Sequence, residues 1–298
     1  MTVQAVATLD PELKLSRLIY GTWRLLDRSV SSSDLEKLVE LCLEVGVNTF
    51  DLADIYGDYL IEDYFGGALP AHLRTRIQVI TKCGICLRSN QRPLHRHKFY
   101  QVNGQHIRQS VEQSLRHLRR EWIDVLLIHR PDPLTNFQDV AEEFRALKDE
   151  GKVKAFGVSN FSPIQLQSLQ SQLDLPLIAN QIELNPLQAS ALWDGTLDHA
   201  QAHAYLPMVW SPLAGGRIFT HPEYAGLRQQ LATIAQRYAC DMDQLLIAWL
   251  LLLPSRALPV IGTADPQRLL RQLQATEINL DRQDWFAILE AAQGKEVP

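Results

Sequence analysis

DVLLIHRPDPLTNFQDVAEEFRALKDEGKVKAFGVSN, residues 124–160, holds one complete unit of the pattern on which the chain is built. It opens on one apolar run, DVLLIH (124–129), and closes on another, KAFGVSN (154–160). Neither run alternates apolar with polar residues, so each reads as a strand covered on both faces. Between them Val140, Phe144 and Leu147 recur at helical spacing, and Gly151 supplies a stop. Strand, helix, strand in this order is the repeat of an α/β protein with a parallel sheet.

The repeat extends in both directions. Upstream runs are LIYGTW (18–23), VNTFDLA (47–53) and IQVITKC (77–83); downstream runs are LIANQIE (177–183), PMVWSP (207–212) and LPVIGT (258–263). With the two in the quoted stretch they make eight. The intervening segments have helical stripes and ends. Ser33 and Glu36 fit a capping box ahead of Leu35, Leu38, Val39, Cys42 and Leu43, with Gly46 closing the helix. Ile107, Val111, Leu115 and Leu118 form a second stripe, and Ser162–Pro163 and Asp265–Pro266 are N-cap and first-turn pairs. Eight such alternations close into a (β/α)8 TIM barrel. The competing doubly wound sheet is expected to carry G-x-G-x-x-G after its first strand, where this sequence has a lone Gly21. Segment 4–18 has room for an N-terminal hairpin, and Leu245–Leu253 reads as an extra buried helix. No linker divides the sequence, so 1–298 is expected to be a single barrel domain.

Composition narrows the function. The chain is 46% hydrophobic and 21% charged, with a formal net charge of -5. That balance speaks against nucleic acid or an anionic membrane as partner, since phosphate surfaces require a surplus of Lys and Arg. The first fifteen residues carry no secretory signal pattern, and no apolar run approaches the ~20 residues of a membrane span. Four cysteines without such a signal point to free thiols in a reducing cytoplasm. A monomer or weak homo-oligomer is expected.

Chemistry in such barrels collects at the C-terminal ends of the strands. There the sequence places Asp51 and Tyr56, Lys82, His129, Ser159 and Asn160, Gln181, and Trp210 with Ser211. Any one of these taken singly is an ordinary rim residue. Four ionisable types converging on one face are not. A phenol titrates near ~10, so Tyr56 alone is a slow proton donor at neutral pH. An adjacent ammonium from Lys82 is expected to lower that value, with Asp51 holding the ammonium charged. His129 is placed to hydrogen-bond a substrate oxygen. A general acid over a carbonyl is what hydride transfer requires, because the oxygen gains charge as the carbon is reduced.

The motifs GTW (21–23), FDLADIYG (50–57), ITK (80–82), LLIHRPDP (126–133), FGVSNF (156–161), NQIELNP (180–186), WSPLAGG (210–216) and GTADPQRL (262–269) occur in this order over nearly the whole chain. Together they resemble the aldo-keto reductase superfamily, barrel enzymes that reduce aldehydes and ketones to alcohols with NAD(P)H. The resemblance implies a catalytic tetrad of Asp51, Tyr56, Lys82 and His129, with Tyr56 as general acid. It implies carboxamide contacts from Ser159, Asn160 and Gln181, and ring stacking on Trp210, where Tyr or Phe is more usual. Further cofactor contacts fall on Gly21, Thr22 and Trp23, then on Ser211, Leu213, Gly215, Gly216 and Arg217 at the pyrophosphate. Adenosine and 2′-phosphate recognition maps to Gly262, Thr263, Ala264, Arg268, Arg271 and Gln272. NADPH is the expected cofactor, with NADH open, because relatives that favour NADPH often carry a Lys or Arg between Gly262 and Asp265 and this chain has none. Asp265 reads as a helix cap, and Arg268 with the helix N-terminus as an anion site.

The small-molecule carbonyl substrate is expected against Trp23, Ile55 and Tyr59, with the segment from Gly84 to Val102 and Trp210 as further wall. The helix DRQDWFAILEAAQ stands almost at the end of the sequence, which suggests an open pocket and broad aldehyde activity. Cys83 and Cys86 form a single C-x-x-C, and their spacing to His95 and His97 matches no common zinc pattern, so no metal is expected. Cys83 beside Lys82 suggests redox sensitivity. Two alternatives stand beside the reductase: a nucleotide-binding, redox-sensing regulatory protein with negligible turnover on the same barrel, and a lyase using Lys82 as a Schiff base.

Overall fold

The structure, a computed structural model, describes residues 2–297. The quoted stretch contributes two strands that pair in parallel, Val125 opposite Ala155 and Leu127 opposite Gly157. Six further strands complete the ring. In chain order they are β1 (Ile19–Gly21), β2 (Thr49–Asp51), β3 (Gln78–Cys83), β4 (Ile123–Ile128), β5 (Val153–Ser159), β6 (Leu177–Glu183), β7 (Leu206–Trp210) and β8 (Leu258–Ile261). Each pairs with its sequence neighbour and β8 pairs with β1, so the sheet is a closed barrel with no edge.

Strand alternation sorts the apolar runs into two layers. Ile19, Ile80, Val125, Leu127, Ala155, Met208 and Leu258 fill the barrel interior. Their neighbours Phe50, Val79, Leu126, Ile128, Phe156 and Val209 face outward under the helices. Both faces are dry, which is why the runs are continuous in the sequence. The expected hairpin forms from Ala5–Ala7 and Lys14–Ser16. Its Leu13 and Leu15 join the interior layer, closing one end of the barrel.

The principal helices are α1 (Ser32–Glu44), α2 (Ile61–Ala68), α3 (Gly104–Leu118), α4 (Phe137–Asp149), α5 (Pro163–Gln170), α6 (Thr196–His203), α7 (Ala225–Arg237), α8 (Met242–Leu251), α9 (Pro266–Leu273) and α10 (Arg282–Gln293). The start of α1 corrects the Ser33–Glu36 expectation. Its N-cap is Ser31, whose hydroxyl oxygen accepts from Asp34 N at 3.1 Å. Three consecutive serines share one capping propensity, and Asp34, which accepts the Ser31 hydroxyl proton at 2.6 Å, selects the first. Gly46 ends that segment with φ +84°, and Ser162 with Gln165 forms a full capping box on α5.

Two helix contacts are especially close. α2 lies so close to α3 that a Cβ on Gly66 would stand 2.2 Å from His117 O. In α8, buried as expected, Trp249 stacks on Trp285 of α10 with centroids 4.7 Å apart and planes 6° apart. Each indole donates to the other residue's carbonyl, at 3.0 and 2.9 Å. Among the described residues no helix is long and apolar enough to cross a membrane.

Candidate active site

The same alternation that builds the interior builds the site. On β3, Ile80 points inward and so does Lys82 two residues on, whereas Cys83 turns outward into the helix layer. Asp51 ends β2, His129 follows β4, Ser159 ends β5, Gln181 lies on β6 and Trp210 ends β7. These six, with Tyr56 from the turn after β2, converge at the C-terminal end of the barrel.

Lys82 is the hub, with no solvent exposure. Its Nζ donates to Asp51 Oδ2 at 2.8 Å, Leu52 O at 2.6 Å and Tyr56 OH at 3.0 Å, which uses all three of its protons. Asp51 Oδ1 accepts from Gln181 Nε2 at 2.7 Å. Tyr56 is held by a tight turn in which Gly57 adopts φ +56°; a Cβ there would meet Leu26 Cδ1 at 2.5 Å. The Tyr56 ring stands edge-on to His129 with centroids 5.9 Å apart, and Trp23 lies 6.2 Å away on the cleft side.

Electrostatics in this cluster follow from burial. Burial alone would pull the Lys82 ammonium down, but Asp51 and Tyr56 more than reverse it, so it stands above its ordinary value. Burial pushes the Tyr56 phenol up; the pull of Lys82 opposes this without overcoming it, and Asp51 adds to the rise. The expected net lowering of that phenol by Lys82 is therefore corrected, and Tyr56 is held protonated at neutral pH. His129 is driven well below its ordinary value, first by burial and then by Lys82, Arg130 and Lys98, and is neutral. Its Nδ1 is buried without a partner.

A cleft of about 660 Å³ opens beside this cluster. Its lining takes in Gly21, Trp23, Asp51, Tyr56 and Trp210 beside the cluster, Ser211, Leu213, Gly215 and Gly216 after β7, and Gly262, Thr263, Arg268, Arg271 and Gln272 after β8. Trp210 is fixed by donation from its Nε1 to Asn160 Oδ1 at 3.1 Å, and Asn160 in turn donates to Ser159 Oγ at 2.7 Å. Asn160 (φ 60°), Ser211 (φ 51°) and Ala214 (φ 51°) hold left-handed conformations around this wall.

Other candidates lie elsewhere. Thr22 is buried and donates to Asp51 O at 3.0 Å. Arg217 Nε donates to Ala214 O, outside the cleft lining. Ile55 caps the Tyr56 turn. Tyr59 is buried, accepts from Leu87 N at 2.7 Å and lies under the Arg92 guanidinium, so neither of these two lines the cleft. The sequence reading missed Arg24, Arg28, Phe219, Asp241, Met242 and Asp243, all of which do. Their segments carry no strand-end signal.

Two subsidiary expectations are also corrected. Cys83 faces away from Lys82, and burial with Asp54 and Glu62 nearby pushes its thiol well up, which opposes oxidation chemistry at that sulfur. The N-terminus of α9 is closed by its own cap, because Asp265 Oδ1 accepts from both Gln267 N and Arg268 N. Among the described residues no group of three or more His, Cys, Asp or Glu is placed to hold a metal ion.

The chain is 43% identical over 295 residues to the uncharacterized oxidoreductase YcsN of Bacillus subtilis, covering 97% of this chain and 98% of that one. It is 42% identical over 299 residues to the oxidoreductase YdhF of Escherichia coli, covering 99% and 100%. A 6-dehydroglucose reductase of Agrobacterium fabrum is 40% identical over 298 residues, again covering 99% and 100%. Among solved structures, a glycerol dehydrogenase from Gluconobacter oxydans superposes with a TM-score of 0.82 at 24% identity over 98% of this chain and 95% of that one, a likeness of fold. Fold and relatives together define an oxidoreductase acting on carbonyl groups. The model of the Aldo/keto reductase family matches residues 17–293, and the chain belongs to that family.

Proposed function

We propose that this chain, acting as one barrel domain, reduces aldehydes or ketones by hydride transfer from a nicotinamide dinucleotide, NADPH in preference to NADH, with Tyr56 as the proton donor. The observation that carries the reading is the Lys82 ammonium hydrogen-bonded to Tyr56 OH at 3.0 Å and to Asp51 at 2.8 Å, beside a cleft of about 660 Å³ lined by Asp51 and Tyr56.

The residues fit such a cofactor. Trp210 offers a ring face at the Tyr56 end. Gly215 and Gly216, at φ +64° and +89°, give a side-chain-free middle where a pyrophosphate approaches backbone. On α9 Gln272 Oε1 is buried without a donor, an acceptor suited to the exocyclic amine of adenine. Bound there, the dinucleotide supplies hydride to the carbonyl carbon. Tyr56 delivers its hydroxyl proton to the carbonyl oxygen as charge develops, and Lys82 stabilises the phenolate that remains. Neutral His129 hydrogen-bonds the same oxygen without adding charge, and Asp51 fixes Lys82.

Among substrates, a polyhydroxylated aldehyde is the first choice, because relatives at 40% and 33% identity are named 6-dehydroglucose reductases. We assign the protein to the cytoplasm as a monomer or weak homo-oligomer, without nucleic-acid or membrane partners. No observation favours the regulatory alternative. Oxidation of NADPH and NADH, measured against an aldehyde panel that includes 6-dehydroglucose, tests the reading. Tyr56→Phe is expected to lower turnover by about 10²–10⁴-fold while leaving dinucleotide binding intact. Unchanged turnover would overturn it.

A further inference from the structure

The part of the cleft lined after β8 and by α9, where the proposed function puts the adenosine end of the cofactor, presents a problem of charge. An adenosine 2′-phosphate carries close to two negative charges and requires cationic donors. The segment from Gly262 to Asp265 has none, and the α9 amides that face this end are taken by the Asp265 carboxylate. Arg271 is committed as well: its Nε lies 3.0 Å from Asp241 Oδ2 and its Nη2 3.0 Å from Asp243 Oδ2. Gln272 also donates to Asp243, at 3.1 Å. The two carboxylates therefore neutralise Arg271, the cleft-lining arginine on the second turn of α9.

Arg24 lies apart, with its Nη1 3.4 Å from Gly215 O, which leaves two cations beside β8 and α9, Arg268 and Arg28. Both line the cleft, and neither pairs with a carboxylate within 4 Å among the described residues. Arg28 comes from the loop between β1 and α1. It is exposed, and its Nη1 donates to Gly262 O at 2.5 Å, directly on the backbone that ends β8. That backbone is itself fixed from β1, since Tyr20 OH donates to Thr263 O at 2.8 Å. The guanidinium is thus held at the adenosine end with most of its five N–H donors free.

The geometry points to Arg28 as a specificity-determining residue: with Arg268 it forms a two-arginine clamp for the 2′-phosphate of NADPH, so that dinucleotide preference comes from the first loop of the barrel. The inference rests on the proposed use of a nicotinamide dinucleotide and names the residue that distinguishes its two forms. A planar guanidinium beside a second one receives a phosphate bidentately, whereas NADH presents a ribose hydroxyl that draws little from either.

Binding of NADP⁺ and of NAD⁺, each titrated by the fluorescence of Trp23 and Trp210 in the full-length protein, tests the clamp without reference to turnover. The wild type is expected to favour NADP⁺ by about tenfold or more. Arg28→Gln is expected to weaken NADP⁺ by about tenfold or more and NAD⁺ by less than about twofold, with Arg28→Lys in between. A thermal melt of each variant checks folding, and the exposed position predicts no shift. Equal weakening of both dinucleotides, no weakening of NADP⁺, or equal affinity in the wild type would each overturn the clamp and leave the reductase reading in place. Failure of the wild type to bind either dinucleotide would overturn both.

Discussion

Gln181 Nε2 donates to Asp51 Oδ1 at 2.7 Å, joining β6 to β2 across the floor of the site. The two carboxylate oxygens of Asp51 therefore have separate donors, Gln181 on one and Lys82 on the other. Replacing the amide with a second carboxylate sets like charges together in a buried place. Gln181→Glu is expected to destabilise the protein by about 1–3 kcal/mol, measured by urea unfolding at pH 8. Loss of the bond also frees Asp51, so turnover falls even where the dinucleotide still binds.

Removing the cation instead leaves Asp51 buried and unpaired. Lys82→Met is expected to cost about 3–5 kcal/mol and to abolish turnover. The double variant Lys82→Met with Asp51→Asn should regain much of the stability and none of the activity. Recovery of activity in the double variant would show that Lys82 acts only as a structural partner of Asp51.

The pH profile follows from the directions of the shifts. As the proposed proton donor, Tyr56 acts only while protonated, and its folded value is raised, so the reduction rate should stay flat through neutral pH and fall only above about 10. His129 is depressed well below its ordinary range, so no step belongs near pH 6.5. A kinetic step near 6.5 that vanishes in His129→Gln would contradict the neutral imidazole.

Glu62 gives a stability profile of its own. It is buried, accepts from Thr81 Oγ1 at 2.6 Å and Ser114 Oγ at 2.9 Å, and is pushed up to about 7, chiefly by burial. A carboxyl raised on folding contributes stability that is complete below its unfolded value near ~4.5 and is lost as pH rises through 7. Glu62→Gln removes the titration and should flatten this part of the stability curve between pH 5 and 8, a difference on the order of 3 kcal/mol. Urea midpoints at four pH values decide it.

Packing supplies one further test. Gly66→Ala drives a methyl into His117 O and the Leu118 backbone, contacts of 2.2 to 2.7 Å that no rotamer relieves. A loss of about 1–3 kcal/mol or more is expected in thermal melts.

Much of this was legible in the sequence because the barrel makes each strand dry on both faces. Eight uninterrupted apolar runs gave eight strands, and a polar residue at the end of a run, as at Lys82 or His129, marked the site. The rest depended on information that runs along no single segment. Which of Ser31, Ser32 and Ser33 caps α1 is decided by Asp34, not by serine itself. That Cys83 turns away from its neighbour Lys82 follows from strand parity, which a C-x-x-C reading ignores. Tyr59 looks free until the fold of residues 84–102 brings Leu87 N to its hydroxyl. Arg28 lies in a loop without periodicity, and only closure of β8 onto β1 brings it to Gly262. The direction of the Tyr56 shift was misjudged because burial, the larger influence, has no signature in a local motif.

The reciprocal bonds between Trp249 and Trp285 carry a consequence for observing this protein. Two indoles stacked 6° from parallel at 4.7 Å couple their electronic transitions, which gives the pair a near-ultraviolet circular dichroism signature that separated indoles lack. Because the pair joins α8 to α10 and lies outside the strands, that signal reports docking of the C-terminal helix by itself. Far-ultraviolet ellipticity reports the secondary structure as a whole. Comparing the two as the protein is heated separates undocking of the outer helices from collapse of the ring they surround.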